Sequence, residues 1–229
     1  MDRGLYIAAS GMLAEQVRQD QIANDLANAS TPGFKADRTA QRDFGELMLA
    51  NGATGQTIGA QGTAVQVDAV QTDWTPQPAR ETGEPLDFSI TGEGFFAVQT
   101  DQGVRYTRNG QFTVSPQGQL ATASGDPVLG RDNRPIAVGA DGRIDPRRLQ
   151  IVSLTAPRKA GDSLVAGTAG GGPVGQARAG ALEGSGADPA RSMVDMIASL
   201  RAFEAGQKVI TTIDETLGKA SSQVGTLNG

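Results

Sequence analysis

The chain has 229 residues, of which 38% are hydrophobic, 4% are aromatic and 31 are glycine, so its core must rest mainly on aliphatic side chains. The formal net charge of −5 excludes the basic surface that binding to nucleic acid or anionic lipid requires. The absence of cysteine and histidine excludes disulfide frameworks, thiolate zinc sites and histidine-dependent triads. Cysteine nucleophiles and the usual histidine ligands of metals are excluded for the same reason.

The sequence lacks the patterns that place a chain in or across a membrane. No run of 18 apolar residues occurs, so no membrane-spanning helix is predicted. The opening residues lack the apolar stretch and the cleavage site of a secretory signal. These criteria alone predict a cytoplasmic protein, an expectation that the motifs below revise.

The first segment is predicted to be an amphipathic helix. Its apolar face repeats at steps of three and four and is formed by Leu5, Ala8, Met12, Ala23 and Leu26, with Ile22 beside it. Glu15, Arg18 and Asp25 lie on the opposite, polar face. The helix should end before Pro32, because proline cannot continue an α-helix and biases the preceding residue to extended geometry.

The last segment is predicted to be a second, longer helix. Asp188 is a suitable N-cap and Pro189 suits the first helical position. Its apolar stripe is Met193, Met196, Leu200, Phe203, Ile210, Ile213, Leu217, Ala220, Val224 and Leu227. A stripe of about forty residues spans roughly 60 Å and needs a partner. Gly206 and Gly218 inside it mark either bends or close approaches of another helix.

The middle of the chain changes to a period of two, which predicts a compact antiparallel β domain. The strands expected there cover 65–70, 86–90, 95–98, 104–107, 111–114 and 151–154. Asn109-Gly110 predicts a hairpin between the fourth and fifth of these strands. Further turns are expected at 115–118 and 140–142.

Two segments of low complexity bracket this domain. Residues 50–64 and 160–186 are rich in glycine and alanine, a composition typical of extended or flexible connections. The predicted organisation is an N-terminal helix at 1–35, an extended connection at 36–75, a β-rich domain with a glycine-rich tail at 76–186, and a C-terminal helix at 187–229.

Three blocks of sequence carry a family resemblance. Residues 24–35, Asn-Asp-Leu-Ala-Asn-Ala-Ser-Thr-Pro-Gly-Phe-Lys, resemble the N-terminal signature of the flagellar axial proteins, a family of rod, hook and hook-associated subunits. Asp25 stands where the family usually has a second asparagine. Residues 86–96 with 106–112 resemble the family's β domain, and 193–204 resemble its closing helix. The blocks occur in the family's order and cover both ends and the middle.

The resemblance implies a structural subunit of the flagellar basal-body rod, proximal or distal, since hook subunits usually carry a further outer domain. Such a subunit is expected to be no enzyme and to need no metal and no cofactor. It implies an α+β fold in which the terminal helices pair as a coiled coil, joined to the β domain by extended Gly/Ala-rich connections. The subunit would polymerise through these helices into the shaft that transmits torque to the hook. The implied partners are further copies of itself, other rod subunits, the hook protein, the flagellar type III export apparatus and any surrounding rings, with no nucleic acid and no membrane insertion. The implied location is the basal body in the cell envelope, reached through the flagellar channel.

The candidate site is an assembly interface on the two helices. It comprises Leu5, Met12, Ile22, Leu26, Asn28, Phe34, Met193, Met196, Leu200, Phe203, Ile210, Ile213 and Leu217. The polar-face residues Glu15, Arg18, Asp25, Arg201 and Glu204 are expected to contribute little to register, since exposed ion pairs are worth about 0–1 kcal/mol. We further expect both ends to be largely disordered before assembly, because their apolar faces lack partners.

Other interpretations remain open at this stage. The terminal helices can instead pack on the β domain as an ordinary α+β core. Within the family, the chain can be a hook-type or other hook-basal-body axial subunit. Outside that class, it can be a rod-associated adaptor, or a peptidoglycan hydrolase using carboxylates such as Asp141, Asp145, Glu81 and Glu84 as an acid–base pair.

Overall fold

The computed structural model describes residues 3–43, 46–50, 57–62, 65–139, 142–161, 163–172 and 174–225. The chain contains two long α-helices, one at each end, with short strands between them. In chain order, the elements are α1 (Arg3–Ala27), β1 (Asp37–Asp43), β2 (Glu46–Ala50), β3 (Thr57–Gly62), β4 (Val65–Thr72), β5 (Ala79–Glu81), β6 (Phe88–Thr91), β7 (Phe95–Thr100), β8 (Gly103–Thr107), β9 (Thr113–Val114), β10 (Leu120–Ala121), a 3-10 helix (Pro146–Arg148), β11 (Ile151–Lys159), β12 (Leu164–Gly170), β13 (Gln176–Ala179), β14 (Ala181–Glu183) and α2 (Pro189–Gly225). The predicted α+β class is confirmed.

These elements form two compact units. The first, called the helical unit below, comprises Met1–Ala27, Asp37–Gln71 and Asp188–Gly229. The second, called the β unit, comprises Asn28–Ala36 and Thr72–Ala187. The sequence signature at 24–35 is therefore shared between the units, since its first four residues end α1 and the rest belong to the β unit.

The start of α2 is fixed by a side-chain cap. Asp188 Oδ1 accepts hydrogen bonds from the backbone N–H groups of Ala190 at 2.9 Å and Arg191 at 3.3 Å. These are donors that a helix cannot satisfy internally, and Pro189 needs no such partner because it has no N–H. The predicted cap is confirmed.

Within the helical unit, α1 and α2 run antiparallel and pack against each other. Ser199 Oγ donates to Glu15 Oε2 at 2.6 Å. Nearer the start of α1, a Cβ placed on Gly206 would lie 2.8 Å from Met12 Cγ. Gly206 therefore marks a close approach of the two helices, one of the two roles the sequence left open.

Two separate strand pairs lie between the helices in the chain and belong to the helical unit. β1 pairs with β4, and β2 pairs antiparallel with β3. The backbone N–H of Val65, where β4 begins, donates to Ser10 Oγ of α1 at 3.3 Å. Residues predicted as an extended connection thus include four paired strands, because a backbone ladder needs little help from side chains.

The β unit is organised around a small closed barrel. Its four strands follow the order β11-β12-β8-β7, with β7 and β8 joined by a tight turn after Thr100. The larger apolar core of the β unit includes Phe88, Phe96 and Phe112, and the rings of Phe96 and Phe112 meet edge to face with centroids 5.4 Å apart. The remaining buried members of this core are Ile90, Val98, Leu120, Val128, Ile136, Ile144 and Leu149. A second cluster contains Phe95 and Tyr106 of the barrel strands, with Trp74 packed against it.

The hairpin predicted at Asn109-Gly110 was wrong. β8 pairs with β7 and β12, whereas β9 pairs with β10. A Cβ placed on Gly110 would lie 1.6 Å from the carbonyl oxygen of Phe88, so glycine is required there for contact between two backbones rather than for a hairpin turn. The predicted turn at 115–118 is confirmed, with Gly118 N–H donating to Ser115 O at 2.9 Å. Of the turn predicted at 140–142, residues 140 and 141 lie outside the described residues.

The glycine-rich segment 160–186 differs from the extended connection expected from its composition. It contains β12, which joins the barrel, β13, which pairs with β6, and β14, which pairs with β5. Small side chains allow this close packing: a Cβ on Gly175 would lie 2.2 Å from Thr91 O. In segment 160–186, the small side chains therefore allow neighbouring backbones to pack closely.

Candidate assembly surface

The structure distributes the predicted interface residues over three environments. Ile22 in α1 and Phe34 in the β unit are buried. Half-buried side chains are those of Leu5, Met12, Leu26, Asn28, Met196, Phe203, Ile210 and Ile213. Met193, Leu200 and Leu217 are exposed. The predicted set is thus not one continuous surface.

Two of these residues are used inside the β unit. The ring of Phe34 lies under the ammonium group of Lys159, 4.5 Å from the ring centroid. The carbonyl oxygen of Asn28 accepts bonds from Thr31 N at 3.0 Å and Ser185 Oγ at 2.8 Å. Their positions indicate a structural turn after α1.

An exposed apolar stripe that the sequence interpretation missed lies on α1. It consists of Tyr6, Leu13 and Val17, which are 66%, 64% and 42% exposed. Their spacing of seven and four residues places them on one side of the helix. This spacing was visible in the sequence, but the Leu5–Met12 stripe competed with it, and only the packing of Met12 against α2 separates the two.

A second exposed apolar stripe lies near the start of α2. Met193, Ile197 and Leu200 follow each other at four and three residues, and Val194 lies beside them. Single exposed hydrophobic side chains are ordinary on a protein surface, whereas an aligned group on one helix is typical of an interaction surface.

The polar face expected on α1 is only partly exposed. Asp25 is 9% exposed, so its expected place on a solvent-facing surface was wrong. Glu15 is half-buried and accepts from Ser199 of α2. Both carboxylates face neighbouring elements of the helical unit because α2 and the strands pack on that side. Arg201 and Glu204 are exposed, as expected.

The β unit contains a buried cluster of charges. Lys35 Nζ lies 2.7 Å from Glu183 Oε1, and Arg108 Nη1 lies 2.8 Å from Glu183 Oε2. The three side chains are only 2–3% exposed. Backbone groups complete the cluster, since Lys35 donates to Thr75 O, Arg108 donates to Gly92 O, and Glu183 accepts from Gln77 N. One carboxylate therefore holds together segments that are distant in sequence.

Burial changes the protonation of this cluster. Loss of water around Lys35 lowers the pKa of its ammonium group below the ordinary value of 10.5, while the hydrogen bond and charge of Glu183 act in the opposite direction. A buried ion pair gives little net stability over an apolar core, but loss of one partner leaves an uncompensated charge. The three charged side chains of the cluster therefore depend on one another for charge compensation.

Gly33 places the end of the signature sequence next to the backbone of two members of this cluster. Its φ of +66° lies in the left-handed region, and a Cβ there would be 2.3 Å from Arg108 O. Its N–H donates to Glu183 O at 3.0 Å. Only glycine fits both the conformation and the contact, so the Pro-Gly-Phe-Lys end of the signature is shaped to pack within the β unit, against the residues around Arg108.

Sequence reasoning singled out neither Lys35 nor Arg108 as a charge partner, and it missed Glu183 altogether. Glu183 lies in a glycine- and alanine-rich stretch, 75 residues from Arg108 and 148 from Lys35. No periodicity connects such positions, and only the folded strands bring them together.

Two of the four carboxylates considered for hydrolysis make other side-chain contacts. Asp145 Oδ1 accepts from the backbone N–H of Arg147 at 2.9 Å and caps the 3-10 helix. Glu81 forms an exposed ion pair with Arg178. Asp141 lies outside the described residues.

Within the described part of the chain, no group of three or more His, Cys, Asp or Glu side chains is placed to hold a metal ion, and no helix there is both long and apolar enough to cross a membrane.

Comparison with known proteins gives matches to three family profiles. Residues 5–35 match the profile described as flagella basal body rod protein, residues 89–159 match the flagellar hook protein FlgE/F/G D1 domain, and residues 178–223 match the flagellar basal body rod FlgEFG protein C-terminal profile. Each matched segment contributes one member of the buried cluster: Lys35, Arg108 and Glu183 respectively.

Individual relatives match along nearly the whole chain. The flagellar basal-body rod protein FlgG of Bacillus subtilis (strain 168) is 32% identical over 95% of this chain and 97% of its own length. FlgF of Escherichia coli (strain K12) is 36% identical over 96% and 98%, and FlgF of Caulobacter vibrioides is 31% identical over the full length of both chains. Identity at this level from end to end shows that this chain belongs to the family of flagellar basal-body rod proteins.

Proposed function

We propose that the chain is a structural subunit of the flagellar basal-body rod and that it polymerises through its terminal helices into the axial shaft that carries motor torque to the hook. The observation that carries the proposal is the end-to-end similarity to rod proteins of three bacteria. The protein is a structural component rather than an enzyme, as are the rod proteins to which it is related.

The helical unit supplies the physical support for polymerisation. Its exposed stripes, Tyr6–Leu13–Val17 on α1 and Met193–Ile197–Leu200 on α2, lie on helices that are already paired with each other. Burial of apolar surface is worth about 25 cal/mol per Å², so a copy that covers such a stripe gains free energy. A head-to-tail contact of this kind does not close on itself and produces a filament. We propose that the paired helices form a coiled coil in the assembled shaft.

The remaining parts of the proposal follow from membership of an axial structure. The partners are further copies of this chain, other rod subunits and the hook protein, together with any rings around the shaft. The location is the basal body within the cell envelope. The subunit reaches it through the flagellar type III export apparatus, which requires passage in an unfolded form.

Assembly of the purified full-length chain tests this function. Sedimentation velocity and electron microscopy over a range of concentrations should show growth of filaments or tubes. The double variant Met193→Glu/Ile197→Lys should remain folded, because both side chains are exposed, and should lose assembly.

The matched control is Val104→Lys/Val114→Lys, which alters two exposed apolar side chains of the β unit and should assemble normally. Equal assembly by wild type and the Met193/Ile197 variant would show that α2 is not the polymerising surface. A wild-type chain that stays monomeric at all concentrations, alone and with its rod partners, would contradict the proposed function.

A further inference from the structure

The dipeptide Asn109-Gly110 contains a chemically labile side chain that the proposed function does not use. Asparagine is among the thermally labile residues of proteins. It is most reactive before glycine, because glycine has no side chain to hinder attack by its own backbone nitrogen. Asn109 is half-buried and lies between β8 and β9. The pair therefore combines a reactive sequence with a position inside the folded β unit.

The reaction open to this pair is a cyclisation followed by hydrolysis. The backbone nitrogen of Gly110 attacks Cγ of Asn109, the Cγ–Nδ2 bond breaks, and ammonia leaves with the proton of the Gly110 amide. Water then opens the cyclic imide at either of its carbonyl carbons. Breaking the new bond between Cγ and nitrogen gives aspartate. Breaking the original peptide bond gives isoaspartate, whose main chain runs through the former side chain and is one methylene longer.

Hydrogen bonds in the folded β unit hold the atoms on both sides of the reacting bond. Asn109 N donates to Thr107 Oγ1 at 3.0 Å, and Asn109 Oδ1 accepts from Gln111 N at 3.0 Å. Gly110 O accepts from Phe88 N at 3.0 Å. Ring closure needs rotation about the backbone and side-chain bonds of Asn109, which these hydrogen bonds oppose. Cyclisation therefore requires local opening of this segment.

Two other backbones enclose the same stretch of main chain. A Cβ on Gly110 would lie 1.6 Å from Phe88 O, and a Cβ on Gly33 would lie 2.7 Å from Asn109 N. A space too small for one added carbon cannot take a main chain that is one methylene longer, so the isoaspartyl form does not fit the folded β unit. The aspartyl form does fit, because it keeps the original main chain and an oxygen that can accept from Gln111 N.

We propose that Asn109 is a deamidation site whose reaction is confined to the unfolded or locally opened chain, and that its isoaspartyl product prevents the β unit from refolding. A chain that remains unfolded thus accumulates a chemical change that a folded chain avoids. The site concerns the β unit alone, and it goes beyond the proposed function without resting on it.

Deamidation rates in the folded and the unfolded chain test the protection. The full-length chain is incubated in buffer and in urea at the same mildly alkaline pH, and peptides containing Asn109 are followed by mass spectrometry. In urea, Asn109 should react at a rate similar to that of Asn51, which also precedes glycine. In buffer, Asn109 should react at least about a hundredfold more slowly than in urea, since the rate then reports the population of the open segment.

A destabilised variant sharpens this comparison. Phe96→Ala removes a fully buried side chain from the β unit and should raise the deamidation rate of Asn109 in buffer. Leu13→Ala, which removes an exposed side chain of α1, is the matched control and should leave that rate unchanged. Equal rates for the wild type in buffer and in urea would overturn the protection by folding.

Refolding tests the consequence of the isoaspartyl bond. After long incubation in urea, the chains are diluted into buffer, and limited proteolysis separates folded from unfolded molecules. Isoaspartate at position 109, identified by electron-transfer fragmentation, should be enriched in the unfolded fraction. Wild type that is unfolded only briefly gives the reference yield of refolding.

Asn109→Asp is the matched control for refolding, because it adds the same charge without lengthening the main chain. It should refold with a thermal midpoint close to that of the wild type. Isoaspartyl chains that refold as fully as this variant would overturn the proposed effect on folding. Failure of Asn109→Asp to refold would also overturn it, since charge alone would then account for the loss.

Discussion

The two units of this protein differ in how completely their apolar side chains are buried. In the β unit, three phenylalanines of the larger core are at most 4% exposed, and a carboxylate with two cations is buried in the same unit. In the described parts of α1 and α2, Ala14 and Ile22 are the buried apolar side chains, while Leu13, Val194 and Leu217 are at least half exposed. The β unit buries an extensive apolar core, and the two helices present apolar surface for further packing.

This difference assigns separate tasks to the units. A completed core gives a rigid body whose shape does not depend on neighbours. An incomplete one gains stability only when another chain covers it, so its folding and its assembly are coupled. The predictions that follow test this division, beginning with the largest expected effect.

Matched truncations in the two units should have opposite consequences. Phe96→Ala removes a fully buried ring from the barrel and should lower the free energy of unfolding by about 3–5 kcal/mol. Leu13→Ala removes an exposed side chain and should change the free energy of unfolding by no more than about 0.5 kcal/mol. Urea unfolding followed by circular dichroism measures both. A large loss of stability from Leu13→Ala in the monomer would show that α1 packs more completely than the structure indicates.

The buried cluster should be far more sensitive than a surface ion pair. Glu183→Gln removes the charge that Lys35 and Arg108 share, and we expect a loss of about 3 kcal/mol, since breaking a buried pair leaves cations without compensation. Glu81→Gln removes the exposed partner of Arg178 and should cost about 0–1 kcal/mol. Chemical unfolding of the two variants gives the comparison. Equal losses would mean that water reaches the cluster.

Loss of the α2 cap should have a moderate and local effect. Asp188→Ala removes the acceptor for two backbone N–H groups and should lower stability by about 1 kcal/mol. Amide hydrogen exchange should show faster exchange in the first turn of α2, with the barrel strands unchanged. Asp188→Asn, which keeps a capping oxygen, serves as the control and should retain most of the protection. Faster exchange throughout the barrel in Asp188→Ala would indicate that the cap supports more than its own helix.

The smallest effect concerns pH. Burial lowers the pKa of Lys35, so the unfolded chain binds that proton more tightly than the folded protein does. The penalty for burying the charge is fully present below the lowered pKa, and stability should rise with pH from there to the ordinary value of 10.5. Urea unfolding of wild type and Lys35→Met at several pH values from 7 to 10.5 isolates this contribution as their difference. Parallel curves for the two proteins would show that the pKa of Lys35 is the same in the folded and unfolded chain.

Local signals in the sequence predicted those features that depend on neighbouring residues. The spacing of apolar residues predicted both helices, Asp188-Pro189 predicted where α2 begins, and the change to a period of two predicted the β region. The Asn109-Gly110 hairpin failed because Gly110 serves a contact with Phe88, 22 residues earlier in the chain, which outweighs the local turn preference. The segment 160–186 was misjudged because composition reports little about backbone pairing.

The sequence by itself determined the class of the protein: two terminal helices, a β-rich middle, no cysteine or histidine chemistry, and blocks typical of flagellar axial proteins. Only the tertiary structure decided which apolar face of α1 is used by α2 and which carboxylate neutralises Lys35 and Arg108. The physical reason is the sequence separation over which each kind of interaction acts. Helix propensity, capping and turn chemistry act over a few residues, whereas burial and charge pairing depend on distances between residues far apart in the chain, which exist only after folding.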